Sequence, residues 1–70
     1  MVEVFKTNID DRQVAARLQT ELMELFPGTR INFDLQDCDR ILRIESSTCM
    51  ATEIEMILIK KGFWCQILED

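Results

Sequence analysis

A two-layer α+β sandwich of element order βαββαβ is the fold this sequence predicts, and three observations predict it. Segments 11–26 and 52–61 repeat apolar residues every three or four positions, the spacing of a helix with one buried face. Segments 2–9, 31–35, 41–45 and 63–68 are short and rich in β-branched or aromatic residues, most of them alternating apolar with polar. The same register also follows each helix. Counting from Gly28, apolar residues fall at the third and fifth places, Ile31 and Phe33; counting from Gly62, they are Cys65 and Ile67. A fold whose halves are related by a pseudo-twofold produces such an echo, and the ferredoxin-like sandwich is one: a four-stranded antiparallel sheet with two helices on one face.

The first strand, 2–9, ends at Asn8-Ile9-Asp10-Asp11, where an aspartate can cap the coming helix. Within it Val2 and Val4 alternate against Phe5, Thr7 and Ile9, which predicts a bulge or register change. The first helix buries Val14, Leu18, Leu22 and Leu25, turns Arg12, Arg17, Gln19, Glu21 and Glu24 to water, and stops at Pro27-Gly28. The second strand sets Ile31, Phe33 and Leu35 against Arg30, Asn32 and Asp34, and Gln36-Asp37-Cys38-Asp39 forms the turn into the third. There Leu42 and Ile44 share one face and Ile41, Arg43 and Glu45 the other. The second helix has two candidate starts, a cap at Ser47 or Thr48 and the capping-box pattern Thr52-Glu53-Ile54-Glu55, with 52–61 as its firm part before Gly62. The last strand sets Phe63, Cys65 and Ile67 against Trp64, Gln66 and Leu68. Leu18, Leu22, Ile31, Phe33, Leu42, Ile44, Ile54, Leu58 and Ile67 are the expected core.

Residues 1–70 form one domain, small enough to bury only roughly 60% of its unfolded surface. With no histidine there is no imidazole base, no Ser-His or Cys-His nucleophile and no imidazole metal ligand, so an enzyme is not expected. Thirteen acidic against 8 basic side chains give a net charge of −5, and no basic stripe is available for nucleic acid or an anionic membrane. The first residues lack the charge and apolar run of a signal peptide, and no apolar run reaches membrane-span length. Three unpaired-looking cysteines, at 38, 49 and 65, read as free thiols; the expectation is a soluble, cytoplasmic, acidic protein without a cofactor.

Three stretches in order, Phe26-Pro27-Gly28-Thr29-Arg30-Ile31-Asn32-Phe33-Asp34-Leu35, Asp39-Arg40-Ile41-Leu42-Arg43-Ile44, and Glu53-Ile54 through Lys60-Lys61-Gly62-Phe63, carry a family resemblance. The chain resembles the heavy-metal-associated domain of copper chaperones and metal-transporting ATPases. That family has Pro-Gly before a strand ending apolar-Asp-Leu, then an alternating strand, then a second helix closed by Gly and an aromatic residue. The resemblance implies the same sandwich, with strands in the order four-one-three-two. It also implies a first loop of Met, one residue, and Cys-x-x-Cys binding a soft ion at the mouth of the first helix. Here Ile9 takes the Met place, Asp10 intervenes, and Asp11 and Val14 stand where the cysteines would be. A carboxylate and a valine cannot form a dithiolate. The resemblance therefore implies a metallochaperone-like domain that has lost its metal ligands, while Phe63 keeps the aromatic place beside the site.

Two functions follow. The first is a non-catalytic interaction or scaffold module, meeting a protein partner or a second copy through the outer sheet face, where Trp64, Leu68, Ile41 and Val4 (or Val2) would lie together. Lys6, Arg43, Glu45 and Gln66 would interrupt that face. The second is a metal-binding protein using Cys38 with Asp10, Asp11, Asp37 and Asp39, since the first loop and the strand 2–3 turn lie at the same end of such a sheet. A solvated helix cap and a solvated turn would use the same aspartates. Cys65 is expected in the core and Cys49 at the opposite end from the loop.

Overall fold

The computed structural model describes residues 1–36 and 38–68. The elements are β1 (Val2–Thr7), α1 (Arg12–Leu25), β2 (Arg30–Asp34), β3 (Ile41–Glu45), α2 (Ala51–Lys60) and β4 (Cys65–Leu68). The four strands form one antiparallel sheet in the order β2-β3-β1-β4, the expected order read from the other edge. Residues of both helices and all four strands meet in a single buried cluster, so the helices share one face of the sheet.

The start of α1 and the stops of both helices follow the local chemistry. Asp11 is the N-cap of α1: its Oδ1 accepts the amides of Gln13 at 2.8 Å and Val14 at 3.3 Å, two donors that the first turn of a helix otherwise leaves unpaired. Gly28 and Gly62 follow the helix ends with φ of +86° and +92°, backbone that glycine adopts without strain.

β1 departs from the expected pattern. It pairs with β3 and β4 in unbroken register, with no bulge. Its inward face is Glu3, Phe5 and Thr7, all buried, while Val2 and Val4 turn outward and Ile9 is buried just past the strand. The expected conflict disappears once Glu3 is allowed inside. Its carboxylate is 8% exposed and lies at the start of α2, where Oε1 accepts the Met50 amide at 2.8 Å and Oε2 accepts the Cys49 thiol at 3.4 Å. α2 thus begins at Ala51, with Met50 as an N-cap that makes no side-chain cap bond; the Ser47, Thr48 and Thr52 signals are not its start. The cap comes from β1, and the negative charge suits the helix dipole.

The core contains Phe5, Ile9, Ala15, Leu18, Leu22, Ile31, Leu42, Ile44, Met50, Ile54, Leu58 and Cys65. Phe33 and Ile67, expected fully inside, are half-buried: they lie on the edge strands β2 and β4, each two residues on from a buried neighbour, Ile31 and Cys65. Leu18→Ala should therefore destabilise by about 2–5 kcal/mol in urea unfolding, a large part of such a domain's stability, with Phe33→Ala toward the low end of that range or below it. Glu3→Ala removes the acceptor at the head of α2 and should lower stability by about 1–2 kcal/mol, with the loss of protection in hydrogen exchange greatest at the Met50 amide.

Candidate functional site

The first loop and the β2–β3 turn meet, as expected. The Thr7 amide donates to the carbonyls of Asp39 and Arg40, both at 3.2 Å, and the Thr7 hydroxyl donates to Arg40 O at 2.7 Å. The same hydroxyl accepts the Ile9 amide at 3.2 Å, so one threonine ties the turn to the loop entering α1. Arg40 adopts φ +49°, which aims its carbonyl region at Thr7 through a tight reversal.

The loop side chains are arranged for folding. Ile9 is 2% exposed. Asp10 is exposed, and Asp11 holds the helix cap. Val14 is half-buried and lines a shallow groove with Leu18, Lys61 and Phe63, so the aromatic residue does stand beside the loop's helix. Asp39 faces Lys6 at 3.5 Å across a partly exposed pair, and Cys38 is exposed in the turn. Among the described residues no three cysteine, aspartate or glutamate side chains come together in a way that could hold a metal ion. Asp37, the remaining candidate, lies outside the described residues.

On the outer face, Val4 sits directly across from Leu68 on one side and Arg43 on the other; Lys6 sits across from Gln66 and Ile41. Val4 and Leu68 therefore touch as cross-strand neighbours, and Ile41 is diagonal to Val4. Trp64 continues the row of Gln66 and Leu68; its amide donates to Asn8 Oδ1 at 2.9 Å, and its side chain is 46% exposed. Lys6 lies among these apolar groups, drawn toward Asp39, and Arg43 pairs with Glu45 at 3.4 Å. The face is a mosaic, with Val4-Leu68 and Trp64 separated by Gln66. No family model, no curated protein and no solved structure matches the chain.

The sequence pattern missed Glu3 as a site residue. The triplet Glu3-Phe5-Thr7 was the available signal, because the bulky Phe5 dictates which face its period-two neighbours share. The three thiols differ as expected in placement. Cys38 and Cys49 are exposed, Cys49 beside Glu3 at the far end from the loop; Cys65 is buried, and burial, with a smaller push from Glu55, raises its thiol to about 11. A thiol that keeps its proton is a poor nucleophile. At pH 8 Cys38 and Cys49 should react rapidly with a disulfide reagent and Cys65 only after unfolding. Because the unfolded thiol ionises near 9.0 and the folded one near 11, the Cys65 contribution to stability should fall between those values as pH rises, read by denaturation against Cys65→Ala.

Proposed function

We propose that this chain is a small, non-catalytic interaction module on a heavy-metal-associated-like scaffold whose metal loop has become a structural helix cap. One observation carries the reading: both positions where that family has its cysteines are engaged in folding. Asp11 accepts two amides at the head of α1, and Val14 is half-buried beside Phe63. With the loop given over to capping and packing, the surface left for function is the outer sheet face, where Val4, Ile41, Trp64 and Leu68 offer apolar area among charges. A net charge of −5 argues against nucleic acid. Absence of histidine argues against an enzyme. No described helix is long and apolar enough to cross a membrane, and three free thiols suit a reducing compartment such as the cytoplasm.

The Thr7 link to Asp39 and Arg40 favours one alternative, a metal held by Cys38 with the loop carboxylates, because it brings turn and loop together. Copper titration separates the two. The reduced chain should hold no Cu(I) against a strong chelator, while Asp11→Cys with Val14→Cys should gain one ion by restoring a thiolate pair at the mouth of a helix. Retention of copper by the unaltered chain, lost in Cys38→Ser, would establish the alternative. A folded double variant that still binds nothing would remove the scaffold reading.

A further inference from the structure

The two edges of the sheet are treated differently. At the β2 edge the Ile31 carbonyl accepts the side-chain amide of Gln19 on α1 at 2.6 Å, and the charged Arg30 and Asp34 stand at the strand's two ends. β4 is the opposite edge, and β1 is the one strand it pairs with. The Asn8 amide donates to Trp64 O at 3.3 Å, and backbone direction alternates along an antiparallel ladder. The amides and carbonyls of Trp64, Gln66 and Leu68 therefore turn toward β1, and those of Cys65 and Ile67 turn away from the sheet. Natural edges are blunted by brevity, charge, proline or a bulge. β4 is short, four residues, but it has no charge, proline or bulge: it reads Cys-Gln-Ile-Leu, and its register with β1 is unbroken.

Exposed apolar side chains flank this edge on both layers. Trp64 and Leu68, 46% and 39% exposed, stand on the outer face. On the helix layer Ile59, 61% exposed, lies on α2, the helix that packs against β4.

We propose that β4 is a self-pairing edge: two copies of this chain join antiparallel through β4, about a twofold axis at Gln66, into one continuous sheet. This names the partner of the interaction module and rests on that reading. The occupant follows from self-complementarity. The register that uses both free residues sets Cys65 against Ile67 of the second copy, Gln66 against its counterpart, and Trp64 against Leu68. Every pair is uncharged, on a chain of net charge −5. The same twofold axis runs the two α2 helices antiparallel, so that the acidic first turn of one, with Glu53, lies toward the basic last turn of the other, with Lys60. The interface is isologous, as a twofold dimer requires.

The test uses the full chain, reduced, in sedimentation at rising concentration, where a dimer is expected. Gln66 is exposed, so Gln66→Lys leaves the fold intact by circular dichroism while placing two ammonium groups opposite each other; dimerisation should weaken roughly fivefold or more. A second variant reads the register directly. Gln66 and its counterpart form a non-hydrogen-bonded pair with Cα atoms about 4.5 Å apart, within disulfide span. In a Cys38→Ser, Cys49→Ser background, Gln66→Cys should give a covalent dimer on mild oxidation, and Asn32→Cys, near the opposite edge, should not. A chain monomeric throughout, a dimer indifferent to Gln66→Lys, or failure of Gln66→Cys to cross-link would overturn the proposal. A dimer that survives Gln66→Lys but is lost in Ile41→Lys would move the contact to the outer sheet face, overturning the edge and leaving the interaction reading standing. The copper titration of the double cysteine variant is independent of all these outcomes.

Discussion

A carboxylate taken out of water needs partners, and the meeting of Glu3 with the first amide of α2 meets that need on both sides. Phe5 must face the core, and a strand's period of two then carries Glu3 and Thr7 inward with it. Glu3 finds the unpaired amide of Met50, and the helix finds an acceptor that its own N-cap residue does not supply. Thr7, two residues on from Phe5, performs the matching task at the other end of β1 by binding the β2–β3 turn and the loop into α1. The central strand is thus pinned at each end by one buried polar side chain. No buried side-chain polar atom among the described residues is left without a partner.

Where physics is local, the sequence was easy to read. The helical stripes of 11–26 and 52–61, the Pro27-Gly28 stop and the alternation of β2 and β3 all depend on neighbours a few residues apart, and the elements lie within a residue or so of where the pattern puts them, although Leu25, expected on the buried face of the first helix, is 58% exposed at its last turn. The misread parts are those set by distant residues. Ser47, Thr48 and Thr52 offer local caps for α2, but the acceptor it uses is 47 positions back in the chain. The face of β1 was ambiguous because hydropathy favours Val2 and Val4 inside, whereas the sheet's centre takes Phe5 and can accept Glu3 only because α2 begins there. Phe33 and Ile67 have the right parity for the core and are half-buried on the edge strands, a placement that periodicity along one strand does not encode.

The candidate sites divide in the same way. That Asp10 or Asp11 would cap α1 is legible from their place before an amphipathic run, the structure choosing Asp11, and that the turn meets the first loop follows from topology. What the loop residues do with their lone pairs was not. Asp11 uses Oδ1 on the backbone, and Asp39 looks toward Lys6 rather than toward Asp11. The outer face illustrates a second limit. Its apolar members were identifiable by parity, but their contact depends on cross-strand register, which sets Lys6 and Gln66 between Trp64 and the Val4-Leu68 pair.

The Gln19 amide on the Ile31 carbonyl carries a consequence for colloidal behaviour. A sheet with two receptive borders can add molecules end to end without limit, the geometry of a fibril. Here one border has a carbonyl taken by a side chain of the same molecule and is bracketed by Arg30 and Asp34, which favours a single point of growth per chain for strand addition. Any such stack terminates as soon as two of those points meet, and a short, uncharged final strand can then remain in the sequence without nucleating a filament.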